Sequence, residues 1–231
     1  MIYRKYPMKG TENTRDLGGY PTKDGGVTKF GVFVRSDAWD KATEEDIAFI
    51  KNLGIRTVVD LRTKEQAEKN PHPLSRERGF DYHNVPVMGG GKIPDTKEEF
   101  PITYMQMADG TEYMRDVFRA FACCEPGFLF NCVAGKDRTG VVAGLLLEIC
   151  GVSEADIYAD YLLSASYLYD NIYHDAPIYH FDPEVITPNR ENWAVFTKMF
   201  REKYGSAHEY LNTIGITENE IGSIVSKLVE K

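Results

Sequence analysis

The sequence predicts an α/β fold: a central, mostly parallel sheet flanked by helices. Three observations carry that reading. Short apolar strand candidates alternate with helical patterns through the first two thirds of the chain. Two of those strands, Ile55–Leu61 and residues 127–131, are apolar without polar alternation, as strands buried on both faces are. Residues 139–150 are apolar on nearly every side, which marks a helix in the middle of a core.

The elements follow in order. Residues 11–20 are polar and end in a Gly-Gly turn; Asp24-Gly25-Gly26 is a second turn, with short strands or a hairpin between them. Phe30–Val34 is a strand candidate that leads into Arg35-Ser36-Asp37. Thr43 opens a helix whose first turn is acidic, which suits the helix dipole, and Gly54 closes it. Asp60 and Arg62 flank the carboxyl end of the strand Ile55–Leu61. A short helix over 63–69 is broken off by Pro71 and Pro73, and Phe80–Val87 is a further strand. Gly89-Gly90-Gly91 starts a flexible connection to about Phe100, and a helix covers 111–123. The strand 127–131, a loop and the buried helix 139–150 come next. Ser153 caps a helix that reaches about Leu163.

Residues 164–190, rich in tyrosine, histidine and proline, read as an insertion or lid. Two amphipathic helices fill 190–231. Trp193, Phe196, Met199 and Phe200 line the first; Ile221, Ile224, Val225 and Leu228 line the second, which opens on a Thr217/Glu220 capping box. One domain over residues 1–231 is expected, and a monomer.

The 231 residues are 42% hydrophobic and 27% charged, enough to bury a core and outside the disordered range. A net charge of −8 with no basic run argues against nucleic acid or a stable membrane anchor as partner. The polar start lacks the apolar core of a signal peptide, so a cytoplasmic location is expected, with export left open. The four cysteines form no Cys-x-x-Cys pair and no disulfide framework. Cys123, Cys124 and Cys150 read as small buried hydrophobes, with a regulatory Cys124–Cys132 disulfide as the lesser alternative.

The chemistry concentrates in GFLFNCVAGKDRTG, residues 127–140. Cys132 ends an apolar strand and Arg138 follows after five residues, just before an apolar helix. A thiol is mostly protonated at neutral pH, and a helix N-terminus and a guanidinium both favour its thiolate. The amides from Val133 through Ala134, Gly135, Lys136 and Asp137 to Arg138 suit the oxygens of a phosphate dianion, which the Arg138 fork also binds. Thiolate attack on phosphorus, then hydrolysis of the cysteinyl-phosphate, needs no metal or other cofactor. Asp137 and Asp60 are the candidates to protonate the leaving oxygen, and Thr139 to assist departure of the thiolate. Lys136 orients substrate by charge. The loop does not fit a Walker A pattern, since Phe130 stands where its first glycine belongs.

At these residues the chain resembles the cysteine-dependent protein tyrosine phosphatases, and among them the bacterial tyrosine/serine branch of atypical dual specificity. The loop Cys132-Val133-Ala134-Gly135-Lys136-Asp137-Arg138-Thr139-Gly140 carries the likeness. Asn13–Tyr20, Arg35-Ser36-Asp37, Val58–Arg62 and Asp160–Leu163 extend it in the family's order over about 13–163. The resemblance implies a sheet flanked by helices with a mobile helical lid, Cys132 as nucleophile, Arg138 as phosphate binder and acid roles for Asp137 or Asp60. It also implies phosphotyrosine, phosphoserine/threonine or phosphoinositide substrates. Asn131 departs from it, for the family usually has histidine there. Asparagine donates a hydrogen bond but carries no charge, so a shifted pH optimum is expected.

The expected function is therefore hydrolysis of phosphomonoesters, on a phosphorylated protein or a small phosphomonoester. The alternatives are a phosphoinositide or inositol phosphate phosphatase, a phosphate-binding module without turnover, and a sulfur-transfer enzyme. His174 and His180 match no metal-ligand spacing. Tyr167, Tyr169, Tyr173 and Tyr179 either stack on an aromatic substrate or pack the insertion onto the core.

Overall fold

The computed structural model describes residues 4–88 and 93–231. Its centre is a five-stranded sheet built from β1 (Arg15–Asp16), β3 (Phe33–Ser36), β6 (Phe128–Asn131), β4 (Thr57–Asp60) and β5 (Asp81–Asn84), in the spatial order β1-β3-β6-β4-β5. The pairs β3–β6, β6–β4 and β4–β5 are parallel, and β1 runs antiparallel to β3. A minor ribbon pairs β2 (Val27–Thr28) with β7 (Val229–Glu230) near the C-terminus. No helix among the described residues is long and apolar enough to cross a membrane.

Period-two alternation sets the two cores. Phe33, Val59, Phe128 and Phe130 face the larger one; Val34, Val58 and Leu129 face the smaller, and all seven are fully buried. The smaller core is closed by α1 (Glu44–Asn52), through Ile50, with Trp39 and Leu74. The larger is packed by α3 (Phe100–Asp109), α4 (Thr111–Cys123), α5 (Asp137–Ile149), α8 (Arg190–Tyr204), α9 (Ala207–Thr213) and α10 (Glu218–Leu228). The unbroken apolar runs of β4 and β6 are thus explained by helices on both faces, and α5 lies at the centre as its composition predicts.

Several expectations need correction. The strand expected at Phe30–Val34 sits at Phe33–Ser36, because Gly31 turns the chain at φ +75. Arg35 and Ser36, expected beyond the strand, lie inside it and are buried. A helix not foreseen, α3, precedes the expected one; its Pro101 falls in the first turn, where a missing N–H costs nothing. The Gly89-Gly90-Gly91 connection lies outside the described residues. The C-terminal part has three helices rather than two, since Ser206 and Glu209 form a capping box that starts α9.

The helix capped by Ser153, α6 (Glu154–Tyr167), takes in the first residues assigned to the insertion. Beyond it come a wide helical turn at Asn171–Asp175, a tight one at Ala176–Tyr179 and the short α7 (Pro183–Ile186). Cys150 is buried as expected, but Cys123 is exposed and Cys124 half-buried. Cys124 precedes β6 and Cys132 follows it. Four extended residues span roughly 13 Å, beyond the roughly 7 Å Cα separation a disulfide tolerates.

Candidate active site

The loop from Cys132 to Lys136 joins the carboxyl end of β6 to the N-terminus of α5, and its carbonyls are all held from outside. Ala38 N–H donates to Val133 O (2.9 Å). Asn13 Nδ2 donates to Ala134 O (3.0 Å) and Gly135 O (3.1 Å). Arg35 Nη2 donates to Gly135 O (2.8 Å) and reaches Lys136 O (3.5 Å). With the carbonyls turned out, no amide from Val133 to Arg138 donates to a protein acceptor among the described residues. A ring of free N–H groups at a helix N-terminus is an anion cradle. Gly135 is required at the crossing: its φ is +64, and a Cβ would stand 2.5 Å from the Ser36 and Asp37 backbone.

The braces are themselves held by a buried charge cluster. Asp160, on α6, pairs with Arg15 Nε (2.9 Å) and with Arg35 Nη1, and all three side chains are almost wholly buried. Burial pushes the Asp160 carboxyl up, but Arg15 and Arg35 outweigh it and hold it down at about 2. Arg15 also donates to the Asn13 side chain, so Asn13, Arg15, Arg35 and Asp160 form one unit behind the loop. Asp37 accepts from Glu12 N–H (2.9 Å) and Asn13 N–H (3.0 Å), and burial lifts its carboxyl to about 6. The sequence blocks around Asn13, Arg35 and Asp160 are therefore supports of the loop, roles that sequence reasoning did not assign.

Inside the cradle Cys132 is only 3% exposed. Arg138 Nη1 donates to Gln66 Oε1 (3.0 Å) and lies 3.4 Å from Leu61 O, which fixes the guanidinium. Gln66 belongs to α2 (Lys64–Lys69), where it also completes the Thr63 capping box. That Thr-x-x-Gln pattern was legible in the sequence, but its contact with Arg138 was not. Asp137 accepts a 2.7 Å hydrogen bond from Tyr104 Oη, and Tyr104 in turn meets Tyr161 Oη at 2.8 Å. Burial, then the Asp137 carboxylate, keeps the Tyr104 phenol protonated. Nothing in the sequence singled out Tyr104.

Lys136 does not extend freely into the site. Its Nζ donates to Ile186 O of the insertion, sits 5.1 Å over the Phe100 ring and lies 3.6 Å from Asp137 Oδ2. Thr139 Oγ1 is buried without a hydrogen-bond partner among the described residues, the Cys132 thiol included. Asp60 reaches the loop only by register, opposite Asn131. Its carboxylate takes Arg62 Nη2 (2.7 Å), Arg62 Nε (3.0 Å), Arg62 N–H (3.0 Å) and Tyr82 Oη (2.8 Å), and it is fully buried. Asn131 Nδ2 donates to Cys132 O (3.2 Å). Behind the strand ends His72 is buried, and burial drives it down to about 4, so it is neutral at neutral pH.

Above the loop opens a cavity of about 450 Å³. Asp137, Arg138 and Lys136 form its floor, and Met88, Ile93, Phe100, Met107, Ile172 and Ile186 are among its walls. The tyrosines of the insertion are not among them. Tyr169 and Tyr173 pack against each other with tilted rings at 4.8 Å, Tyr179 is 71% exposed, and Tyr167 lies under Lys5. Neither reading of that group holds for all its members. His174 and His180 join no cluster of metal-ligating side chains among the described residues.

Known proteins resemble this chain over most of its length. A tyrosine-protein phosphatase of Nostoc commune is 32% identical over 218 residues, covering 85% of this chain and 74% of its own. The triple specificity protein phosphatase PtpB of Mycobacterium tuberculosis is 29% identical over 201 residues, 71% of this chain and 70% of its own. The solved core catalytic domain of the PP-IP phosphatase SIW14 from S. cerevisiae covers 69% of this chain and 91% of its own, at 18% identity and a TM-score of 0.41. The family model described as the tyrosine phosphatase family matches residues 6–230, and the chain belongs to that family of phosphoric monoester hydrolases.

Proposed function

We propose that this phosphatase works through a cysteinyl-phosphate on Cys132 and takes phosphomonoesters whose alcohol is aromatic or otherwise apolar, phosphotyrosine before others. The observation that carries the mechanism is the set of unpartnered amides from Val133 to Arg138 beside the Cys132 thiol. They bind the equatorial oxygens of the transferring phosphoryl group and stabilise its charge as it spreads, with Arg138 as the charged partner. The Cys132 thiolate attacks phosphorus and the P–O bond to the leaving group breaks. Asp137, aligned by Tyr104, gives its proton to the departing oxygen. Water then attacks phosphorus, Asp137 takes the proton, and the P–S bond breaks. The Thr139 hydroxyl, which has no partner among the described residues, is free to donate to the leaving thiolate. Asp60, spent on Arg62 and Tyr82, is a structural group in this reading.

The cavity supports the substrate class. Its walls are mostly apolar, and among the described residues its lining cations are Lys136 and Arg138, of which Lys136 is occupied by Ile186 O. An inositol polyphosphate needs several free cations, and an aryl ring needs apolar walls. One relative is named a triple specificity protein phosphatase, which supports secondary substrates beyond phosphotyrosine, here taken as phosphoserine and phosphothreonine. The insertion, reaching the cavity through Leu168, Asn171, Ile172 and Ile186, acts as its lid. The test compares a phosphotyrosine peptide, a phosphoserine peptide and inositol hexakisphosphate, with EDTA present, for the intact chain and Cys132→Ser. Turnover of the phosphotyrosine peptide is expected to be fastest, and absent in Cys132→Ser. Faster turnover of the inositol phosphate sinks the substrate reading; persistent turnover by Cys132→Ser sinks the mechanism.

A further inference from the structure

A second group of reactive side chains lies at the opposite end of the sheet. Asp81 and His83 are two apart on the edge strand β5, so both side chains stand on the same face. Cys124, at the carboxyl end of α4, comes up to them. Cys124 Sγ is 3.7 Å from His83 Nε2, His83 Nε2 is 2.8 Å from Asp81 Oδ2, and the ligand-type atoms of all three lie within 4.8 Å of one another. The β4 register places Asp81 level with the first residue of β6, whereas Cys132 follows the last. The two sites are therefore separate, and the phosphatase chemistry makes no use of this one.

We propose that Asp81, His83 and Cys124 form a binding site for a divalent transition metal of the zinc type. The donor set decides the class: one thiolate, one imidazole and one carboxylate select zinc or its neighbours over calcium and magnesium, which take oxygen. The spacing suits it as well. Zinc bonds of about 2.0–2.3 Å put tetrahedral donors roughly 3.3–3.6 Å apart, close to the separations seen here. The thiol proton leaves to solvent as the Zn–S bond forms, and the imidazole binds through Nε2 with its proton on Nδ1. Asp81 releases His83 Nε2 and supplies an oxygen; water fills the fourth position.

The site is also held in place. Lys227 of α10 donates from Nζ to the carbonyls of Phe121 (3.0 Å), Ala122 and Cys124 (2.8 Å), which fixes the end of α4 that carries the thiol. A bound ion would staple that helix end to the exposed edge of the sheet.

The test is titration with zinc chloride, and separately with cobalt chloride, in a Cys132→Ser background so that the phosphatase thiol does not compete. Calorimetry is expected to give one zinc per chain, with a melting temperature that rises with zinc. Cobalt is expected to give a thiolate charge-transfer band. Adding His83→Gln or Cys124→Ser should lower zinc affinity at least tenfold and remove the band. His83 is partly exposed, so His83→Gln keeps the test usable if Cys124→Ser does not fold. Absence of stoichiometric zinc binding, or binding and a cobalt band unchanged by His83→Gln, overturns the assignment.

Discussion

Replacing Asp160 by asparagine removes the one carboxylate that stands between Arg15 and Arg35. Both guanidiniums remain buried, and no other acid pairs with either of them among the described residues. Breaking a buried pair from one side costs about 3–5 kcal/mol, against a total of about 5–15 kcal/mol for a folded domain. For a chain of this size each kcal/mol moves the melting temperature by about 2–4 °C, so Asp160→Asn should lower it by about 6–20 °C. The pH dependence follows from the depressed carboxyl. A folded-state value of about 2 lies below the unfolded one of about 3.9, so the stabilisation is fully present above pH 4 and is lost as pH falls through 2. Calorimetry of both proteins should show a constant gap from pH 5 to 8 that narrows in acid. The same change frees Arg35 from its anchor and loosens its hold on Gly135 O, so kcat on an aryl phosphate should fall as well. A variant within about 1 kcal/mol of the parent, with unchanged kcat, would refute the argument that the loop rests on this cluster.

Three further outcomes are expected. Tyr104→Phe removes the 2.7 Å bond to Asp137 and should lower kcat about tenfold, while displacing the limb of the pH profile that Asp137 governs; an unmoved profile argues against Asp137 as the acid. Gln66→Ala releases Arg138 and should lower kcat/KM about tenfold, roughly the loss of one hydrogen bond to a charged group, with little change in melting temperature. Asp37→Asn tests the opposite pH sign: a carboxyl raised to about 6 gives stability that is full below its unfolded value and lost as pH rises through 6. Unfolding in urea from pH 4 to 7 should show a decline in the parent that is flattened in the variant.

The legible parts of the fold are those whose signal is local. The apolar runs of β4 and β6 and the all-round apolar α5 announce themselves, because burial on every side leaves no room for polar residues. Cys132 and Arg138 stand out as candidates for the same reason: the strand, loop and helix that carry them are contiguous in the chain. The illegible parts depend on partners far along the chain. Arg35 reads as a loop residue because a buried charge inside a strand is rare, and its burial is compensated only by Asp160, 125 positions away. Tyr104 meets Asp137 across 33 positions and Gln66 meets Arg138 across 72. Asp60 shows the converse. At a strand end it looked like a second acid, but its position two before Arg62 already contained the ion pair that occupies it.

The support cluster also explains how a chain of net charge −8 presents an anion site. Behind Gly135 two guanidiniums face one carboxylate, which leaves a net positive charge just outside the loop. That charge lies in a dry interior, where the screening that weakens surface charges does not reach it. Burial, then the neighbouring Arg15, lowers the Arg35 guanidinium to about 10, so it still carries its charge at neutral pH. One residue therefore performs two tasks. It holds the Gly135 carbonyl outward, and in the proposed mechanism it adds long-range attraction for the phosphate. In the proposed mechanism the position before Cys132 then needs no charge of its own. Asn131 supplies a hydrogen bond to the Cys132 carbonyl, and the cationic field comes from Arg138 in front of the loop and from Arg15 and Arg35 behind it.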